Sequence, residues 1–290
     1  MADLESIIAA KNTSDAEWRE QRQAERDNAS AMRDAGIHEI TNSPSEYAKY
    51  LRLQGDNMTY SAGNTALVMF SADDPTYFGT VERWRSLGRS VLEGERENGV
   101  KIFTRMSNQS GSYTLADVYD IKQTQGKTFK PTSLADGTPQ MEAALSVLLN
   151  YSPVPVSADR ELGSPALYDE EAQVLCVNPD YGDSESFASI AEEVAHARIH
   201  NRGNNRYYER ADSELDAKSV AYMLCRHFGV SCELPDTSGV AEHYDGWDTS
   251  ERAEALDRIQ NIAKRISHSV EMSINPEKQK HRACAGRPAR

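Results

Sequence analysis

The run Ala191-Glu192-Glu193-Val194-Ala195-His196-Ala197-Arg198-Ile199-His200, followed downstream by Glu214-Leu215-Asp216-Ala217, is where residue types and spacing can do chemistry. On a helix, ligands four residues apart share a face and can touch one Zn²⁺. In the His-Glu-x-x-His pattern, the glutamate beside the first ligand reaches the metal-bound water as general base. Here Glu192 stands at the first ligand position, Glu193 at the base position and His196 at the second ligand position, with Glu214 as a third ligand from the next helix. Two metal sets are open. One is Glu192, His196 and Glu214, which is more anionic and selects less strongly for zinc over harder cations. The other is His196 and His200 as an i, i+4 pair with Glu214 or Asp216. That register puts Ala197 beside its first ligand and leaves Glu193 three residues upstream. A third reading holds no metal: Glu192 and Glu193 are solvated, His196 bonds a carboxylate of the next helix, and His200 closes the helix end, where the macrodipole favours a cation.

These side chains need two long helices, and the pattern supplies them over roughly Asp183 to His200 and Tyr207 to Phe228, the second stopped by Gly229. A β-hairpin precedes them, Ala166-Leu167-Tyr168 with Ala172 to Val177, turning at Asp169-Glu170-Glu171. Val154-Pro155-Val156 reads as an edge strand, Met141 to Asn150 as a short apolar helix, and Ser250 to Met272 as the last helix. This hairpin and motif helix resemble the ImmA/IrrE-type metallopeptidase-like domains of mobile elements. The resemblance implies a zincin-like domain over 141–275 with one zinc ion; EExxH in place of the usual HExxH points to impaired catalysis, and the alternative is an active zinc-dependent endopeptidase with Glu193 as general base.

Upstream, residues from about 2 to 55 read as two or three helices. Ser14-Asp15-Ala16-Glu17 fits a capping box and Ser43-Pro44-Ser45-Glu46 marks a second start. Thr65 to Ser71 forms a short segment and Thr80 to Leu87 a helix. Val100 to Thr104 and Tyr113 to Ile121 read as strands joined by a turn at Asn108 to Ser112. The composition of Pro131 to Gln140 suggests a linker. The expected fold class is α+β: a small α+β domain over 1–130, a linker over 131–140, a mainly helical domain with a short sheet over 141–275, and a basic disordered tail over 276–290.

Composition limits the functions open to such a chain. Its 290 residues contain 32 Lys and Arg against 45 Asp and Glu, a formal charge of -13, which makes the whole molecule a poor counter-ion for nucleic acid. The deficit is uneven: residues 1–130 carry about -3 and the remainder about -10. A polyanion would meet the first half or the tail, where Lys278, Lys280, Arg282, Arg287 and Arg290 cluster, while the acidic second half could imitate a DNA backbone toward a host or element protein. Hydrophobic residues make up 39%, too many for wholesale disorder. No apolar stretch approaches the ~20 residues of a membrane span, and a cytoplasmic protein is expected. The four cysteines form no CxxC pair, so neither a disulfide framework nor a cysteine zinc site is indicated.

In the first half, Tyr60-Ser61-Ala62-Gly63-Asn64, the run Trp84-Arg85-Ser86-Leu87-Gly88-Arg89-Ser90-Val91, Gly94-Glu95 and Gly99-Val100-Lys101-Ile102-Phe103 follow in order. The set resembles the N-terminal domain of the ArdC antirestriction family over roughly residues 45–125. The whole is similar to the LtrC-like proteins of conjugative elements. This resemblance implies binding of single-stranded DNA and carriage on conjugative elements or phages. Trp84, Tyr77 and Phe78 offer stacking faces, and stacking of a base on an aromatic ring is worth ~1–3 kcal/mol whatever the base. Arg83, Arg85, Arg89, Lys101 and Arg105 offer backbone contacts, with Asn64 in the preceding turn. Against this, Trp84 lies at helical spacing to Leu87 and Val91, which suits a core position, and Glu93, Glu95 and Glu97 would repel phosphate.

Overall fold

The computed structural model describes residues 4–105, 113–201 and 207–275. The turn expected at Asn108 to Ser112, the basic run from Lys278 to Arg290, and Cys284 lie outside the described residues.

The chain opens with α1 (Leu4–Asn42), and the region read as two or three helices holds two, with the break at Ser43 and none near Ser14. Ser14 is therefore no helix start. No proline and no glycine before Gly36 interrupts this segment of strong helix formers, and pairs such as Lys11 with Asp15 and Gln23 with Asp27 bind one turn to the next. Residues 11–28 are almost wholly exposed, and burial begins at Ala29. The Ser43-Pro44 signal does act as read. Ser43 Oγ accepts from Glu46 N at 3.4 Å and opens α2 (Pro44–Asp56). Ser61 likewise caps α3 (Ala62–Ser71), and Thr80 caps α4 (Val81–Ser86).

Three strands form an antiparallel sheet: β1 (Phe78–Gly79), β3 (Val100–Arg105) and β4 (Tyr113–Asp120), in the order β1-β4-β3. The register pairs Lys101 with Asp117 and Phe103 with Leu115. Beside it, β2 (Arg89–Val91) pairs antiparallel with β5 (Thr124–Gly126).

The second half begins with α5 (Pro139–Tyr151), then β6 (Val156–Ala158), β7 (Ala166–Asp169) and β8 (Val174–Val177). The order is β6-β8-β7, with β6 parallel to β8 and β7 antiparallel to it. The outer side of β7 turns toward α6 (Asp183–His200), whose Ser189 Oγ accepts from Ala166 N at 3.1 Å. The chain continues with α7 (Arg210–Phe228), α8 (Val240–His243) and α9 (Thr249–Ile274). Gly229 ends α7 with φ 63°, the left-handed conformation a helix terminator requires. The fold is α+β, as expected, and no described helix is long and apolar enough to cross a membrane.

The main core crosses the boundary that composition suggested. Ile37, Ile40, Tyr47, Tyr50, Leu51 and Ala66 pack with Phe187, Val194, Val220, Leu224, Ile259 and Ile266 in one buried cluster. A smaller cluster of Leu53, Val68, Phe78, Ile102 and Val118 belongs to the first sheet. The expected linker is docked: Leu134 is buried and its N–H donates to Phe228 O at 2.8 Å, while Gly137 N donates to Asp183 Oδ2 at 2.8 Å.

Candidate metal centre

Helix α6 places Glu192 and His196 one turn apart on the face toward α7, and α7 brings up Glu214. One donor atom from each of the three lies within 4.8 Å of the others. His196 is fully buried. Its Nε2 sits 3.3 Å from Glu214 Oε2, yet lacks a hydrogen bond of proper geometry and has no other partner. Its Nδ1 lies 2.9 Å from Tyr208 Oη. When Nδ1–H donates to Tyr208, the Nε2 lone pair points at the two carboxylates, the arrangement a metal-ligating imidazole needs. Burial, reinforced by Arg210, lowers the His196 pKa and keeps the ring neutral, also a condition for ligation. The donor set and the orphaned Nε2 therefore fit a divalent cation.

The flanking charges differ between the two carboxylates. Burial, together with Glu193 and Glu214, pushes the Glu192 carboxyl up from 4.5 to about 7, although Lys218 and Arg210 pull it back. Burial also works upward on Glu214, but Lys218, whose Nζ donates to Oε1 at 2.7 Å, wins and holds this carboxyl below its ordinary value. Two oxygens and one neutral imidazole thus form a donor set acceptable to Mn²⁺ as well as Zn²⁺.

Glu193 departs from the role its position suggests. The expected solvated or water-facing carboxylate is 4% exposed. Its Oε2 accepts from Tyr168 N on β7 at 2.8 Å and from Arg210 Nη1 at 3.0 Å, and its Oε1 accepts from Arg210 Nη2 at 2.5 Å. A fork-to-fork pair of this kind is among the strongest side-chain interactions, and it engages both oxygens of the carboxylate. Neither Arg210 nor Tyr208 was singled out from the sequence. The available signal was that Arg210 stands four residues before Glu214, on the same face of α7.

The alternative register is not assembled. His200 Nδ1 lies 2.7 Å from Tyr168 Oη, and its ring stacks on Tyr208 with centroids 4.4 Å apart. Asp216 is buried elsewhere, against Arg258.

The first-half residues hold the fold together. Trp84 is 1% exposed and its Nε1 donates to Tyr119 O at 2.8 Å, so this indole presents no stacking face. Phe78 is buried as well, and Tyr77 packs on Phe129. Asn64 ties α3 to β3, donating to Phe103 O at 2.8 Å and accepting from Phe103 N at 2.9 Å. The Arg89 guanidinium donates to Thr124 Oγ1, Thr124 O and Lys127 O, which pins β2 to the segment around β5. Lys101 pairs with Asp117 across β3 and β4 at 3.2 Å. Arg85 remains exposed. A larger feature lies next to Asn64: an open cleft of about 1520 Å³ between α1, β3 and the start of α9. Its α1/β3 wall carries Arg26, Arg33, Phe103 and Arg105, with Asp34 paired to Arg33 at 2.8 Å, whereas Asp248, Glu254, Asp257 and Lys264 line the α9 wall.

No family model matches the chain. An uncharacterized protein of Bacillus anthracis, pXO2-81, is 20% identical over 208 residues; the match covers 61% of this chain and 35% of that protein, so the chain spans about a third of its length. Among solved structures, the metal-free crystal structure of the antirestriction protein ArdC from the R388 plasmid is similar, with a TM-score of 0.45 and 16% identity over 75% of this chain and 86% of that one. The Mn(II)-bound crystal structure of the same protein gives a TM-score of 0.43 and 18% identity over 74% and 85% of the respective chains.

Proposed function

We propose that this chain is an accessory protein of a mobile genetic element whose second half holds one divalent cation on Glu192, His196 and Glu214 and does not turn over peptides while Arg210 occupies Glu193. The observation that carries the reading is the convergence within 4.8 Å of donor atoms from two carboxylates and a buried imidazole, whose Nε2 faces Glu214 Oε2 at 3.3 Å. A cation there would supply Lewis acidity to a bound water or carbonyl. His196 would ligate through Nε2, with Tyr208 fixing the ring through Nδ1. Glu214 would ligate through Oε2 while Lys218 keeps its Oε1. Glu192 would give up its proton to the solvent on ligation. Peptidase chemistry requires Glu193 to accept a proton from water, and both of its oxygens are engaged by Arg210.

The test is the metal content of untagged protein by elemental mass spectrometry after equilibration with Mn²⁺ or Zn²⁺, beside His196→Ala. Near-stoichiometric metal that disappears in the variant supports the site. Equal metal in both sinks it.

A second activity, binding of single-stranded DNA, rests on the resemblance carried by the Trp84 to Phe103 motifs and on the cleft beside them. Phe103 with Arg33, whose guanidinium lies 5.4 Å from the ring centroid, and Arg26 and Arg105 form a basic and aromatic wall suited to a backbone with stacked bases. The acidic α9 wall would confine the strand to the α1/β3 side. An anisotropy titration of single strands against duplex at low salt checks this, and equal affinity for the two removes it.

A further inference from the structure

The last turn of α7 carries Cys225, and the chain beyond the helix comes back to it. With Gly229 left-handed, Val230 N–H donates to Cys225 O at 2.9 Å and Gly229 N–H to Arg226 O at 3.3 Å, the paired bonds of a helix-ending reversal. Cys232 follows two residues later and packs on the main core beside the helix end, with its thiol and that of Cys225 in hydrogen-bond contact. Cys232 S–H is spent on Glu233 O at 3.4 Å, so the hydrogen between the two sulfurs is that of Cys225.

The two sulfurs differ in access. Cys225 is fully buried, whereas Cys232 is half-buried and lines an open cavity of about 560 Å³ together with Tyr77, Ser133, Tyr222 and Arg226. The bond from Cys225 holds the Cys232 thiol below its ordinary pKa against the upward pull of burial, and the same bond with burial raises that of Cys225. One thiol is thus reachable and the other waits behind it. A metal site would need more ligands: among the described residues no carboxylate or imidazole joins these two sulfurs in a group of three donors.

We propose that Cys225 and Cys232 are a reversible dithiol/disulfide site, oxidised by a small-molecule disulfide that enters the cavity beside Cys232. Cys232 Sγ, on losing its proton, attacks one sulfur of the oxidant; a mixed S–S bond forms, the oxidant's own S–S bond breaks and a thiolate leaves. Cys225 Sγ then attacks Cys232 Sγ and expels the second thiolate. The two protons given up by the cysteines go to the two departing thiolates, so one dithiol is oxidised by two electrons and one small disulfide is reduced to two thiols. None of the three metal donors belongs to the pair, and the proposal does not rest on the metal centre.

The test equilibrates the full chain, with EDTA present to prevent metal-catalysed oxidation, against reduced and oxidised glutathione over a range of ratios, quenches free thiols with N-ethylmaleimide and digests with trypsin without reduction. Trypsin cuts after Lys218, Arg226 and Arg252, so Cys225 and Cys232 fall in separate peptides, 219–226 and 227–252. Mass spectrometry should find these two peptides joined by a disulfide, half-formed in the folded chain at a glutathione ratio roughly tenfold or more reducing than in urea. Cys225→Ala should carry a glutathionyl group on Cys232, and Cys232→Ala should leave Cys225 unmodified, each variant checked as folded by circular dichroism. Separately alkylated peptides at every ratio, a linked pair that forms no more readily in the folded chain than in urea, or Cys225 modified in Cys232→Ala as readily as Cys232 in Cys225→Ala would overturn the proposal.

Discussion

Arg210 holds Glu193 by both carboxylate oxygens, at 3.0 and 2.5 Å, and Tyr168 N–H completes the enclosure at 2.8 Å. The residue at the general-base position is thereby a structural tie between α6, α7 and the edge of β7. Removing one partner of a buried pair typically costs ~3–5 kcal/mol, and because the Arg210 side chain is 31% exposed, Arg210→Ala should cost about 2–3 kcal/mol in urea unfolding. The same variant frees Glu193. Zinc-loaded Arg210→Ala should cleave a fluorogenic casein substrate above the wild-type background, and adding Glu193→Gln should return it to that background.

The Glu192 carboxyl, raised to about 7, gives the centre a pH dependence of definite sign. Metal binding must expel that proton, so affinity should climb up to tenfold per pH unit as pH rises toward 7 and level off above it. Stability of the metal-free protein runs the other way. Between about 4.5 and about 7 the folded state holds a proton the unfolded chain has lost, so this group's contribution to stability falls as pH rises through that window. Glu192→Gln should flatten both curves, read by chelator competition and by thermal unfolding.

Replacing the anomalous ligand tests its effect on metal choice. Glu192→His would present two imidazoles and one carboxylate, and imidazole favours zinc over manganese. Competition with a chromophoric chelator should show the Zn²⁺/Mn²⁺ affinity ratio rising at least tenfold. Hydrolysis should still be absent while Arg210 is in place.

For nucleic acid, the cleft and the tryptophan make opposite forecasts. Arg33→Ala and Arg105→Ala should each weaken single-strand binding and lower the slope of log affinity against log salt by about 1, as loss of a phosphate contact does. Trp84→Phe should lower stability through the lost bond to Tyr119 O, leaving affinity per folded molecule unchanged.

The helices that carry the site were readable because their signals are local. α6 begins at Asp183 and ends at His200 as its periodicity indicates, and the hairpin before it pairs Ala166 with Val177. Ser14 misled because a capping box permits a helix start without compelling one, and nothing around it stops α1. Arg210 was invisible because its meaning depends on Glu193 being carried to it by another helix, and on β7 closing the third side. Trp84 was ambiguous for a related reason. Helical spacing to Leu87 suits a buried ring or a displayed one, and only the approach of Tyr119 decides; Leu87 itself is exposed. The docking of Leu134 on Phe228 turned a linker composition into a packed strap.

Because Tyr47, Tyr50 and Leu51 share one buried cluster with Val220, Leu224 and Ile259, cutting the chain near residue 131 would yield two fragments, each with an incomplete interior. Neither piece should behave as a free-standing module, whereas the two expressed together should find each other and reassemble. Recombination that exchanges one half for a distant relative's must therefore carry a matching interior along with the surface it brings.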